Sequence, residues 1–463
     1  MPIKTIAIPF DEYLSIKALI NELSEKINKL ENENIALRNE NIALKNEIQL
    51  LKNSRDSNTS STPPSQDYSR LNQKGLRKKT GKNSGGQKGH KGSNLEMTET
   101  PDEIIEHKSQ FCKECGEELK NHDFVLRRQE VILPPILPKY VEHQLFSCKC
   151  DKCGSTTISE LPPNLKSNIQ YGDDIKAFIV YLSVYQYLSY NRIAVFLDDF
   201  LNLPISEGTI DNILKECAKK GKGVYEQIRQ KVEKSFLVGG DETGIKINGK
   251  KGWLFTFQNQ KATFLASSMS RGFSTINDLF KNGFPKSIYV SDCLPAQLKV
   301  ESKNKQLCTA HLQRELQNFI AVFNCEFSSQ LNSLIEQAID LKYRLAENNY
   351  QSHKSKVRYF KTKLDNLLDS EYSNRDKKVF AFIKRLRKYR DYVFTFLEYP
   401  EVPPDNNGSE RAIRNAKVKM KVSGQFKSLT GAETFAILRS IIDTAKKNSQ
   451  NVFETLSLIP KIY

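Results

Sequence analysis

The chain has 463 residues, enough for two or more compact domains with linkers, and carries 70 Lys and Arg against 54 Asp and Glu, a net charge of +16. That excess favours a polyanionic partner, nucleic acid above all. No apolar run approaches the ~18–20 residues that span a bilayer, and Asp11 and Glu12 interrupt any secretory apolar region, so no membrane association and a cytoplasmic location are expected.

Residues 14–53 predict a leucine zipper. Leu23, Leu30, Leu37, Leu44 and Leu51 recur every seven residues, with Ile20, Ile27, Asn34, Asn41 and Ile48 at the other seam position. Ile paired with Leu favours a two-stranded parallel coil, and buried Asn enforces register, so the expected partner is a second copy of the chain. Few large apolar residues (Ile35, Ile42 and Leu50) stand off the seam, which argues against a helix packed on its own domain. Residues 54–93 are Ser, Pro, Gly, Asn and Lys rich and predict a flexible linker. Its cations, among them Arg77, Lys78, Lys79, Lys82, Lys88 and Lys91, face only Asp56 and Asp67. They read equally as DNA-phosphate contacts, sequence-independent and salt-sensitive, or as a solvated tether.

In 94–160, Cys112-x2-Cys115-Gly116 and Cys150-x2-Cys153-Gly154 form two knuckles whose four thiolates suit tetrahedral zinc. Cys148 is an alternative to Cys150. Segments 123–131 and 139–146 are read as strands, giving a zinc-ribbon-like module that contacts DNA. The remaining cysteines (Cys217, Cys293, Cys308 and Cys325) are scattered, as buried thiols in a reducing compartment would be. Residues 161–234 predict helices over 171–184 and 189–199, then a break and a third helix N-capped by Ser206. Any small helical bundle shows this pattern; as a helix-turn-helix it would send the last helix, with Ser206 and Thr209, into a major groove.

From 235 to 447 the pattern is strand, strand, strand, helix, strand, strand, helix, the ribonuclease H-like order. Asp241 closes one apolar run and Asp292 closes Ser287–Ser291, the first and fourth strands. A helical insertion, 326–401, carries a basic face (Lys378, Lys384, Arg385, Arg387, Lys388 and Arg390) that reads either as DNA-holding or as solvated surface. After Pro403-Pro404, Asp405 caps a helix with Glu410 in its second turn and Asn407 and Arg414 on the same face. Asn406 and Arg411 project elsewhere. Any three acids among 54 are weak evidence; at two strand ends and a helix start they can converge, as two-metal phosphodiester chemistry requires. Magnesium, or manganese in its place, suits such an all-oxygen shell. Glu242 points to the opposite strand face and is expected to matter less. Residues 448–463 form a C-terminal segment.

The words around these acids resemble the insertion-sequence-66 family of bacterial transposases. They are Asp241-Glu242-Thr243-Gly244 with Trp253, Cys308–Arg314, Asp405-Asn406-Asn407 with Glu410–Arg414, and Ser440–Lys446. Ser60–Ser65 and Gly85–Gly92 match the family's linker words, although Lys417–Lys421 and Gly424-Gln425-Phe426 depart from its usual stretch. The resemblance implies a multidomain α/β DDE recombinase with Asp241, Asp292 and Glu410 as catalytic, metal-binding acids. It would act on DNA at element ends and target, near the bacterial nucleoid, with accessory transposition proteins as candidate partners. The resemblance adds His311 as an auxiliary residue; Asn407 and Arg414 stand beside the acid, and Arg411 and Arg414 are the DNA-contact candidates of this helix. A catalytically dead DNA-binding regulator and a ribonuclease H-like nuclease without strand transfer are the alternatives.

Overall fold

The computed structural model describes residues 9–52, 95–120, 122–133, 136–345, 353–370 and 377–462. The linker cations Arg77, Lys78, Lys79, Lys82, Lys88 and Lys91 lie outside the described residues. Helix α1 runs from Phe10 to Lys52, 43 residues, close to the zipper read from the heptads. Ile20, Leu23, Ile27, Leu30, Leu37 and Leu44 are all exposed along it, as is every residue from Phe10 to Lys45.

The two cysteine knuckles fold as matching turns. Gly116 N–H donates to Cys112 O and Gly154 N–H to Cys150 O, with Gly116 at φ +75° and Gly154 at φ +73°. A side chain is costly at such φ, which explains the glycine after each Cys-x2-Cys. The expected strands over 123–131 and 139–146 do not form. Instead β1, Ser147–Lys149, pairs antiparallel with β2, Thr156–Ile158, around the second knuckle. The correction has a physical reason: Phe124, Val125, Val131, Tyr140 and Val141 are all exposed, with no second apolar face to pack on.

The chain divides into two compact units. One comprises Met1–Lys74, Glu233–Asn259 and Ser267–Ala416, the other Gly75–Val232, Gln260–Ala266 and Lys417–Tyr463. The catalytic-candidate region holds β3 (Leu237–Ile247), β4 (Lys250–Gln258), β5 (Thr263–Ser268), α6 (Phe273–Leu279), β6 (Phe284–Ser291), α7 (Pro295–Leu298), β7 (Ser302–Leu307) and α8 (Thr309–Phe323). This is the element order expected from the sequence, with α7 added. The sheet order is β5-β4-β3-β6-β7: β3 pairs antiparallel with β4 and parallel with β6, and β6 pairs parallel with β7. The region read as a helical insertion contains α9 (Glu326–Arg344), α10 (Lys354–Asp369) and α11 (Lys377–Lys388). Leu331, Ile335, Leu364, Leu368, Phe382 and Leu386 pack with Ile288, Leu312 and Leu316 into one apolar core.

In the other unit, α2 (Asp173–Val180), a π-helical turn over Tyr181–Tyr185, α3 (Tyr190–Leu201), α4 (Glu207–Lys220) and α5 (Lys222–Glu233) follow one another. Helices α13 (Leu429–Lys447) and α14 (Val452–Leu458), C-terminal in sequence, pack against them. The word Ser440–Lys446 has a packing role there. Ser440 Oγ accepts the Leu265 N–H, and Arg439, 1% exposed, donates to Asp443 Oδ1 and Val184 O. Among the described residues, no helix is long and apolar enough to cross a membrane.

Candidate active site

The site begins where two parallel strands part. The last parallel pair of β3 and β6 is Gly239 with Val290; two residues further on each strand stand Asp241 and Asp292. Strand β3 does not end at Asp241, as the sequence suggested, but continues to Ile247 on β4 alone. Both aspartates are half-buried. Asp241 Oδ1 accepts the Glu242 N–H at 2.8 Å and Asp292 Oδ1 the Leu294 N–H at 3.0 Å. Burial, then repulsion from Asp292, Glu242 and Glu410, holds the Asp241 carboxyl well above the usual carboxylate range. Burial likewise raises Asp292, with the guanidiniums of Arg271 and Arg385 pulling it back.

Glu410 lies in the first turn of α12, Asn407–Ser423, one turn earlier than the sequence suggested. Arg314 Nη2 donates to Glu410 Oε1 at 3.2 Å, and His311 Nδ1 lies 3.9 Å from the same oxygen. Burial and neighbouring Arg314 lower the His311 imidazole, so it is neutral at pH 7. The ligand atoms of Cys308, His311 and Glu410 lie within 4.8 Å of one another, the one such group of three or more among the described residues. Burial pushes the Cys308 thiol up to about 12, and Arg314 already occupies the carboxylate, so this trio is a poor cation site as it stands. Asp241 feels the charges of both Asp292 and Glu410, but the three acids do not all close to that distance.

What fixes Glu410 relative to Asp241 is Asn406, which the sequence had turned away from the site. Its Nδ2 donates to Gly240 O at 2.7 Å, its Oδ1 accepts from Ser409 Oγ at 2.7 Å, and its own N–H points at Cys308 Sγ. Thr309 donates through both N–H and Oγ to Pro404 O. The starts of α8 and α12 are thereby stitched to the catalytic strand. Asn407, the expected partner, is exposed and bonds Asp405 instead. A Cβ on Gly239 would sit 2.7 Å from Asn406 Oδ1, and one on Gly240 would overlap the Tyr289 hydroxyl. Both glycines are there for close approach.

Glu242, expected to matter less than Asp241, sits in a buried hydrogen-bond network. Its side chain is 1% exposed; Oε1 accepts from Arg271 Nε and Nη2, and Oε2 from Gln297 Nε2, whose Oε1 takes the Tyr289 hydroxyl. Burial and repulsion from Asp292 raise its carboxyl. Sequence alternation does place Asp241 and Glu242 on opposite faces, but α7, immediately after Asp292, folds back and brings Gln297 to Glu242.

Other candidates fall elsewhere. Ser206 Oγ accepts the Thr209 N–H at 3.1 Å and bonds Thr209 Oγ1, so both hydroxyls are engaged in capping α4. Arg411 and Arg414 are exposed on α12. In the insertion, Arg385 pairs with Glu315, Arg387 donates to Leu368 O, and Arg390 grips Asp365 and Asp369, so these cations of the supposed DNA face serve internal packing. Of the cysteines, Cys153 is lowered to about 7 by hydrogen bonds from Ser155 and Cys150, and Cys112 is lowered by the backbone and thiol of Cys115. The hydrogen bonds within each knuckle thus join Cys112 to Cys115 and Cys150 to Cys153. Among the described residues, no three of these thiols gather within 4.8 Å.

Comparison with known protein families gives a match between residues 168–434, more than half of the chain, and the model described as Transposase IS66 family. The matched span contains Asp241, Asp292 and Glu410 and excludes α1 and both knuckles. Among curated proteins nothing matches.

Proposed function

Because the chain belongs to the IS66 family of transposases, we propose that its acid cleft cuts DNA at the ends of its own mobile element and joins the freed 3′-hydroxyl to target DNA. The observation that carries this reading is the fork of β3 and β6, which sets Asp241 beside Asp292, with Glu410 near enough to raise Asp241 further. The sheet order β5-β4-β3-β6-β7 supports a ribonuclease H-like catalytic domain.

The acids fit a divalent cation. Asp292 and Glu410 both repel the half-buried Asp241 carboxylate, the Arg271 and Arg385 guanidiniums near Asp292 are already bound to Glu242 and Glu315, and Glu410 would share its carboxylate between the cation and Arg314. Asp241, Asp292 and Glu410 would hold magnesium or manganese, which when bound supplies Lewis acidity to the attacking and leaving oxygens. The chain's own residues do the rest. Asn406 fixes the approach of Glu410 to β3, Arg314 orients its carboxylate, and Cys308 and Thr309 anchor the loop before α12. Neutral His311 keeps a second positive charge away from Glu410. The four knuckle thiols would hold a structural zinc, and α1 would join two copies so that two element ends are handled together.

Incubating the protein with duplex DNA bearing the flanking inverted repeats and magnesium tests the reading: cleaved and joined ends are expected. Cleavage that never proceeds to joining leaves a nuclease. Tight end binding without cleavage, in magnesium or manganese, leaves a regulator.

A further inference from the structure

Arg271 stands in the turn between β5 and α6, which is stiffened by the Ser270 N–H to Ser268 Oγ and the Gly272 N–H to Ser270 Oγ. Its guanidinium is fixed on two sides. Nε and Nη2 both donate to Glu242 Oε1, at 2.9 and 2.6 Å, and the guanidinium carbon lies 4.5 Å from the Trp253 ring centroid. Glu242 is itself immobilised by Gln297 and Tyr289. Lys251 Nζ lies 4.8 Å from the same Trp253 ring. We propose that Arg271, braced by Glu242 and Trp253 and joined by Lys251, forms a subsite for a DNA phosphate beside the acid cleft, holding the backbone next to the bond that is cut. The inference rests on the transposase reading.

Three observations favour a ligand over mere charge balance. First, the Arg271 side chain is 42% exposed although its partner carboxylate is 1% exposed, so the anchored guanidinium turns a polar edge outward. The other buried pair behaves differently: the Arg439 side chain is 2% exposed and its charge serves the interior. Second, a guanidinium carries five N–H groups, and Nη1 meets no protein acceptor among the described residues. A planar fork with free donors, already stripped of side-chain freedom, suits a phosphate's paired oxygens better than an ammonium does. Third, Arg271 lies within electrostatic reach of Asp292, and a cleft of carboxylates repels the polyanion it must admit. A fixed cation at its side offsets that repulsion.

The test uses full-length, zinc-loaded protein and a duplex carrying the inverted repeat with flanking DNA. Binding is titrated against salt without magnesium, and single-turnover cleavage is measured with it. Arg271→Ala should lower the slope of log binding constant against log salt by about 0.9, one phosphate contact, and slow cleavage on the order of 10²-fold. Arg271→Lys should keep most of the slope and lose most of the rate. Since Arg271→Ala leaves the buried Glu242 with Gln297 but without a countercharge, the double variant Arg271→Ala with Glu242→Gln removes that stray charge and keeps the fold. It should restore neither slope nor rate. A double variant that regains both, or Arg271→Ala with an unchanged slope, overturns the subsite. A wild type that binds with the expected slope difference but never cuts would count against the transposase reading while leaving the subsite standing.

Discussion

Asn406→Ala should cost far more than its small size suggests. The substitution deletes the donor to Gly240 O and the acceptor for Ser409 Oγ, at a residue 3% exposed beside one that is 0% exposed. Each buried polar group left without a partner costs ~1–3 kcal/mol, so the pair costs roughly 2–6 kcal/mol. For a unit of about 150–250 residues that corresponds to ~5–15 °C in Tm. Urea unfolding of the metal-free protein measures it, and Ser409→Ala, which leaves only Asn406 Oδ1 unpaired, should cost less than half as much. Loss of the tie also frees the start of α12, and a displacement of Glu410 by ~1 Å costs on the order of 10²-fold in rate. Asn406→Asp keeps the acceptor but faces the Gly240 carbonyl with a charge, and should be no better. A midpoint shift below ~0.5 kcal/mol for Asn406→Ala, with wild-type cleavage, would refute the positioning argument.

Asp241→Asn, Asp292→Asn and Glu410→Gln should each abolish cleavage and joining while end binding persists; wild-type cleavage in all three would remove the metal-site assignment. The Asp241 carboxyl titrates above its usual ~3.9 in the folded chain, so the folded state binds that proton more tightly and metal-free stability falls as pH rises above about 4. Metal-free Asp241→Asn should therefore melt above wild type at pH 7, with the gap closing near pH 4; equal Tm at both values defeats that account. Metal analysis should find one zinc per chain, retained in Cys148→Ser and lost in Cys150→Ser, and the reverse pattern would reassign the second knuckle. Asn34→Val with Asn41→Val should stabilise α1 self-association while admitting higher oligomers; a monomer by sedimentation of residues 1–53, before and after substitution, excludes the zipper.

Strands β3 and β6 were legible because each carries a short apolar run followed by an acid, Asp241 or Asp292, although β3 continues past its acid to Ile247. Their element order followed. Less legible was anything set by a contact remote in sequence. Glu242 reads as the far face of a strand until α7 returns Gln297 to it. Asn407 shares a helical face with Glu410 by spacing, yet α12 begins at Asn407, which leaves Asn406 as the residue turned onto β3. Arg271 sits in an undistinguished turn, and only folding sets it on Trp253. Ser206 was correctly read as a cap, and the cap is what engages the hydroxyls once assigned to DNA. The cations from Arg385 to Arg390 look like a surface stripe because sequence does not reveal that Glu315 awaits Arg385 and that Asp365 and Asp369 await Arg390.

The cysteines divide by chemical temper as well as by position. Cys153 is held to about 7 and is substantially thiolate in neutral water, whereas Cys217, Cys293 and Cys308 are pushed up to about 12 by burial. Alkylating and oxidising agents attack the thiolate, so the metal-free knuckles meet such reagents long before the thiol beside Glu410. Oxidative injury would then strike the N-terminal module first and spare the buried thiol at the start of α8.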